Sequence, residues 1–410
     1  MALAAWLSNL TKMGKTSPAV KRPPLPPTVV ALAIVSLLHD LAGDMVTPLV
    51  PMVVATTGSG PAMLGLIEGI ADATASLLKL VSGHLADRIG RLKALTVAGY
   101  AIANVLRPLL ALAGSWWQVL LIRFGDRVGK GLRGSPRDAL MAAVTTSETR
   151  GRAYGFHHAL ESLGAVIGTL VGYLLLAGGL SVRQVIAWSA LPGVLTMVFV
   201  VVAVKDSPRV KPPSAPVQVG LAPTRGFRRF LLAAVVFTLG NSSDAFLLWR
   251  ARELGVAVSL GPVLWALLHV TRSATATWGG ALSDRRGRRF AIVSGWLVYA
   301  VTYAGFAAAR APWQAWLLFA MYGTYYGLTE GAQKALVVDL VPSEWRGRAL
   351  GALQMAIGLA VLPASVLFGL AYKRWGAGAA FSIGAGLALA ASLLVPAASA
   401  NVPRSDTART

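Results

Sequence analysis

The sequence predicts an all-α membrane protein of twelve transmembrane helices in two pseudo-symmetric six-helix bundles. Three observations lead there: a composition poor in charge, a recurrence of apolar segments of membrane-spanning length, and an internal repeat that relates the first half to the second. Of 410 residues, 55% are hydrophobic and 13% are charged, against ~25% charged in ordinary soluble domains. There is no cysteine. That absence excludes a disulfide framework, a thiolate metal site and a cysteine nucleophile. The formal net charge of +21 would suggest a nucleic-acid partner in a soluble chain. In a polytopic chain it follows instead from the retention of Lys and Arg in loops on one side of the membrane, and no nucleic-acid partner is implied.

Residues 1–27 carry Lys12, Lys15, Lys21 and Arg22 followed by Pro23, Pro24, Pro26 and Pro27. They read as a flexible basic tail, without the charged start, apolar core and cleavage site of a signal peptide. A bundle over 28–204 follows, with apolar spans near 28–56, 61–85, 93–114, 117–141, 153–178 and 184–204. The interval 205–229 holds five prolines and reads as a linker. A second bundle over 230–398 has spans near 230–255, 260–283, 290–309, 313–341, 348–372 and 377–398, and 399–410 form a second tail. Each span is long enough, at about 1.5 Å rise per residue, to cross a bilayer.

Charge sets the orientation. One set of loops holds Arg88, Arg91, Lys93, Arg150, Arg152, Lys205, Arg209, Lys211, Arg225, Arg228, Arg229, Arg285, Arg286, Arg288, Arg289, Arg346 and Arg348. The alternate loops offer little beyond Arg183, Arg252, Arg310, Lys373 and Arg374. Both termini are therefore expected in the cytoplasm, with the chain in a bacterial inner membrane.

The halves repeat. Trp117-Gln118 and Arg150-Gly-Arg-Ala-Tyr-Gly155 recur, at one shared separation, as Trp313-Gln314 and Arg346-Gly-Arg-Ala-Leu-Gly351. The loop from Gly83 to Arg91 recurs as Gly280 to Arg288. Parallel repeats of six spans suit a secondary transporter that rocks its halves about a midplane site.

On these residues the chain resembles the major facilitator superfamily over 28–398. The family's signature Gly-x-Leu-Ala-Asp-Arg-x-Gly-Arg is matched at Gly83, Leu85, Ala86, Asp87, Arg88, Gly90 and Arg91, and again, with Ser283 in place of Ala, at Asp284, Arg285, Gly287 and Arg288. The resemblance implies a gating role for both loops, with Asp87 and Asp284 each facing a helix N-terminus of the other half. Arg127-Val-Gly-Lys130-Gly131 resembles the family's proton-antiporter motif, with Lys130 where Gln is usual. It implies a drug/proton antiporter type of permease, working as a monomer.

An ionised side chain at the bilayer centre costs about 2.5–3.5 kcal/mol on insertion scales, so intramembrane charge points to function. Arg123, Asp126, Arg127, Lys130, Arg133 and Arg137 fall on one face of the fourth span, which must line a watery cavity or pair with acids. Candidate acids are Asp40 and Asp44, one helical turn apart on the first span, Glu68 and Asp72 on the second, and Glu161 on the fifth. Two readings stand side by side. The carboxylates neutralise the arginines and lock the first half together, or one of them, freed when substrate takes its arginine, carries protons. In the second half the matching positions are Phe319, Tyr322, Gly323 and Tyr326, so a wall of Tyr322, Tyr325, Tyr326 and Trp249 is expected opposite the cationic one. Asp244, Glu330 and Lys334 are expected in or near the cavity. Such a cavity suits an amphipathic organic ion or a metal chelate.

The five histidines, His39, His84, His157, His158 and His269, have no diagnostic metal spacing and read as hydrogen-bonded structural residues, so neither a metal nor a cofactor is expected. No phosphate-binding loop and no His-Glu-x-x-His occurs. A lipid-modifying enzyme using His157, His158 and Glu161, or a lipid flippase of the same fold, are the alternatives to the expectation, which is proton-coupled export of a small solute or ion by a non-enzymatic carrier embedded in the lipid bilayer.

Overall fold

The computed structural model describes residues 24–89, 92–204, 224–342 and 345–397. The tail 399–410 and most of the tail 1–27 and linker 205–229 lie outside the described residues. Among the described residues the twelve expected spans are largely helical. The helices are α1 (Pro27–Thr56), α2 (Pro61–Ile89), α3 (Leu92–Leu112), α4 (Trp116–Ala143), α5 (Ser147–Ala177), α6 (Val182–Val202), α7 (Arg225–Glu253), α8 (Gly261–Arg286), α9 (Arg288–Ala308) and α10 (Pro312–Asp339). The last helical run, Arg346–Ala397, turns at Gly376, whose φ of 82° suits only glycine, and this separates α11 (346–375) from α12 (377–397).

Several arms are interrupted where the sequence removes a backbone donor or offers a polar turn. α1 passes through a 3₁₀ turn at Thr47–Leu49, where Pro48 has no N–H to give, and α3 ends in one at Arg107–Leu112, beside Pro108. α7 breaks between Gly240 and Ala245, at Asn-Ser-Ser-Asp. Its start also differs from the sequence reading. Arg225, Arg228 and Arg229, expected in the linker, form the first turns of α7, because Thr224 Oγ1 accepts the Phe227 amide at 3.3 Å and Phe227 is fully buried.

Among the described residues, eight segments are long and apolar enough to cross a membrane, the last of them covering both α11 and α12. α4, α8 and α10 have the length, at 28, 26 and 28 residues, but spend it on polar side chains. Those three helices line the central cavity, which is why they escape an apolarity criterion. Elsewhere the outward faces are apolar: Leu112, Val202 and Leu393 are 76%, 77% and 80% exposed. Trp117, Trp313 and Trp375 sit exposed near helix ends on one side, as interfacial anchors do. Faces of this kind require lipid.

In the first bundle α1 packs on α5 and α6, and α4 on α2 and α3; in the second α10 packs on α8 and α9, and α7 and α9 pack on α12. The bundles meet at two seams, α2 against α11 and α5 against α8. A Cβ at Gly65 on α2 would lie 2.2 Å from the Ser365 carbonyl oxygen of α11, so only glycine permits that contact. The repeat is visible in detail. Gln118 Oε1 accepts the amides of Gly114 and Ser115 at 2.7 and 3.2 Å, and Gln314 Oε1 accepts those of Arg310 and Ala311 at 2.7 and 2.9 Å, the same cap on α4 and α10. The interiors differ. The second bundle is filled with rings, Phe237 stacked on Trp296 at 4.5 Å and Tyr299 on Tyr303 at 4.1 Å, whereas the first is threaded by ion pairs.

Candidate functional site

A cavity of about 1340 Å³ lies between the bundles, walled by α1, α2, α4 and α5 on one side and α7, α8, α10 and α11 on the other. It runs out past Lys79, Arg137, His158, Lys334 and Gly351, towards the face that carries the basic loops. It stops near Thr47, Leu248, Trp265 and Val361, below the opposite face.

The whole charged stripe of α4 faces this space: Arg123, Asp126, Arg127, Lys130, Arg133 and Arg137 all line it. Arg123, 4% exposed, grips Glu68 with two parallel bonds, Nε to Oε1 at 2.9 Å and Nη2 to Oε2 at 2.7 Å, and stands 3.7 Å from Asp126. Such forked pairing is the strongest neutral arrangement open to a buried guanidinium. Arg127 Nη2 reaches Asp72 at 3.4 Å and Glu68 at 3.9 Å, and its Nε has no partner. Lys130 has no carboxylate within 4.0 Å among the described residues. Arg137 binds Glu161 at 2.6 Å and Asp138 at 3.0 Å.

The sequence reading missed Arg107. It comes from the 3₁₀ turn of α3 and bonds Asp126 at 3.0 Å, while its Nη1 donates to the His39 carbonyl oxygen at 3.2 Å. A lone arginine in an apolar span carries the same insertion penalty that singled out α4, and that signal was available. His39 is buried between Arg107 and Arg133, at 3.2 and 2.6 Å from its Nε2. The guanidinium of Arg133 also lies over the Tyr100 ring, 4.9 Å from its centre.

On the opposite wall Asp244 occupies the break in α7. Its Oδ1 accepts the Tyr322 hydroxyl at 2.6 Å, and Tyr326 approaches both oxygens at 3.3 and 3.2 Å. Arg272, also missed by the sequence reading though it stands alone in the α8 span, lies 4.7 Å above the Tyr326 ring and donates to Glu330 at 2.6 Å; Lys334 pairs with the same carboxylate at 3.4 Å.

The expected aromatic wall is corrected here. Of its four members only Tyr326 lines the cavity. Tyr322 and Tyr325 are buried in the ring-filled core behind it, Tyr322 touching the site through its hydroxyl alone, and Trp249 bonds Glu253 on the outer part of α7. Side chains as large as tyrosine fit only where the second bundle already stacks rings.

Asp40, Asp44 and Asp244 line the cavity with no Lys, Arg or His nitrogen within 4.0 Å among the described residues. Asp44 accepts the indole N–H of Trp265 at 3.0 Å, a bond between the two bundles. Of the histidines, His157 bonds Ser36 at 2.9 Å and His158 bonds Glu161 at 2.8 Å, but His39 and His157 each leave Nδ1, and His269 beside Trp265 leaves Nε2, without a hydrogen-bond partner, against the expectation that each would be satisfied. In the second signature loop Asp284 pairs with its own Arg288, whose Nε also reaches Asp339 at 3.4 Å. Arg285 is exposed at the end of α8. The side chains of Gly83, Asp87, Arg88, Gly90 and Arg91, and that of His84, lie outside the described residues.

A multi-pass helical membrane protein with a large charged cavity between two related bundles has the build of a solute transporter. Residues 32–365 match the family model described as Major Facilitator Superfamily. The chain is 31% identical, over 84% of its own length and 88% of the relative's, to an uncharacterised MFS-type transporter of Methanocaldococcus jannaschii. It is 35% identical to the multidrug resistance protein MdtH of Cronobacter sakazakii over a shorter stretch, 26% of this chain and 25% of that one. Among solved structures, a bacterial homologue of the human lysosomal transporter Spinster, inward-facing and occupied, superposes with a TM-score of 0.69 at 18% identity, covering 90% of this chain and 94% of that one. The chain belongs to the major facilitator superfamily, whose fold and members are those of transporters and not of enzymes.

Proposed function

We propose that this protein exports a small organic ion, an amphipathic compound or a metal chelate by alternating access, in exchange for protons, across a bacterial inner membrane, with both termini in the cytoplasm. The observation that carries the reading is the set of cavity carboxylates without a cationic partner. A carboxylate clamped by arginine stays ionised, while an unclamped one beside water is free to take up and release a proton as its surroundings change. Asp40 or Asp44 is the proton carrier. Arg127 and Lys130, with spare donors, hold an anionic group, and Arg123 supplies counter-charge to Glu68 and Asp126. Asp72, Arg133, Asp244, Glu330 and Tyr326 complete the binding surface, with Tyr322 orienting Asp244. Residues 28–204 rock against 230–398, and the two signature loops latch the basic face when it closes. The partial likeness to MdtH, a multidrug resistance protein, favours efflux over uptake. The carrier works as a monomer without a cofactor.

The test is a substrate panel in proteoliposomes with an imposed pH gradient and an internal pH dye, comparing wild type with Asp44→Asn. Proton movement evoked by one compound class and absent from the variant is the expected result. Compound flux without proton movement would make the protein a uniporter or solute exchanger.

A further inference from the structure

At the mouth of the cavity on the basic face, α5 carries His157, His158 and Glu161. One nitrogen of each histidine and one carboxylate oxygen lie within 4.8 Å of one another. We propose that this cluster is a binding site for a divalent transition cation of the Zn²⁺, Co²⁺ or Ni²⁺ type. The site stands whatever solute the cavity carries.

His157 is fully buried. Its Nε2 lies 2.9 Å from Ser36 Oγ, and Ser36 in turn lies 3.0 Å from the Tyr100 hydroxyl. With a cation on Nδ1, the imidazole would carry its proton on Nε2 and donate it to Ser36, which would donate in turn to Tyr100. Nδ1 has no hydrogen-bond partner. It stands 3.6 Å from Glu161 Oε2. An imidazole fixed through its far nitrogen, with its near nitrogen free of hydrogen bonds, is the arrangement that suits a metal-bound histidine.

The other two donors complete the geometry. Glu161 Oε1 is taken by Arg137 at 2.6 Å, which leaves Oε2 for a cation, and the exposed His158 already brings Nδ1 to 2.8 Å from Oε2. Oxygen-to-nitrogen separations of 2.8 and 3.6 Å bracket the edge of a tetrahedron with bonds of about 2.0–2.1 Å. Two imidazoles and a carboxylate suit borderline transition ions rather than Ca²⁺ or Mg²⁺. The fourth position opens on cavity water. Carboxylates also gather round the cluster, since Asp40 is within the field of Glu161 and Asp138 binds the Arg137 guanidinium. The sequence showed adjacent histidines with a glutamate one turn on, but not that Ser36, from α1, would orient one of them.

The full-length protein, purified in detergent with its affinity tag removed and stripped with chelator, is titrated with Co²⁺ and then Zn²⁺. One equivalent of Co²⁺ showing visible ligand-field absorption, displaced by Zn²⁺, is expected in wild type. His158→Ala and Glu161→Gln each weaken binding at least tenfold, and His269→Ala leaves it unchanged. His158 is exposed, so its variant folds, and gel filtration checks this. No saturable binding in wild type overturns the site; so does undiminished affinity in both cluster variants, or a loss that follows His269 instead.

Discussion

Arginines 123 and 127 stand one turn apart on α4 and both touch Glu68, yet their surroundings assign them different work. Arg123 is the sole forked partner of a buried carboxylate and also faces Asp126. Arg123→Ala leaves Glu68 with only the distant Arg127 at 3.9 Å, and removing one member of a buried pair costs about 3–5 kcal/mol. A lower unfolding temperature and poor yield in detergent are expected. Arg127→Ala leaves Glu68 held by Arg123, and frees Asp72, which is already 35% exposed to the cavity. That variant should fold within about 1 kcal/mol of wild type and lose coupled transport. Full activity in the Arg127 variant would remove this side chain from the mechanism. The α4 stripe was readable from residue spacing alone, since each member carries a penalty that lipid does not repay. How the stripe divides between structure and function was not, because that depends on which acids from α1, α2 and α5 arrive opposite each arginine.

Helices bear out the sequence reading closely where apolarity and length decide, and less well where tertiary packing does. The spans and the repeat follow from the periodic text itself. The break in α7 shows no proline and was invisible as a break, though Asn241-Ser-Ser-Asp244 is a run of residues whose side chains compete for backbone hydrogen bonds. It presents Asp244 to the cavity. Tyr326 of α10 lines the cavity as expected, whereas Tyr322 and Tyr325 turn into the ring-filled core behind it, because an aromatic helix face looks alike whether it meets water or other rings. The seam of α2 and α11 gives a prediction at this scale. Gly65 meets the Ser365 backbone, and a Cβ at Gly369 would lie 2.7 Å from the Pro61 carbonyl oxygen, both near the face opposite the basic loops. Gly65→Leu therefore forbids closure there. The chain has no cysteine, so spin labels placed at Thr56→Cys and Lys373→Cys report that face alone. Their separation should lengthen in Gly65→Leu and transport should stop; an unchanged separation would mean that the helices slide past one another instead of parting.

At the scale of the whole molecule the α2–α11 seam is lined by glycines, and among the described residues a hydrogen bond joins the two bundles where the cavity ends: Trp265 Nε1 on α8 to Asp44 Oδ1 on α1. Asp44 thus belongs at once to the proton reading and to the packing of the bundles, and two substitutions separate these roles. Trp265→Phe keeps the ring and deletes the donor, which to a charged acceptor is worth about 1.5–3 kcal/mol. A difference of that size shifts a two-state population about tenfold or more. The labels at Thr56 and Lys373 should then show more of the long separation, while proton movement still follows the carried compound. Asp44→Asn retains an oxygen that can accept from the indole but no group that titrates. Its label distances should stay near wild type while compound-driven proton movement disappears. If both variants lose coupling and both lengthen the distance, the bond itself is the coupling element, and Asp44 acts by holding the bundles together and not by carrying the proton.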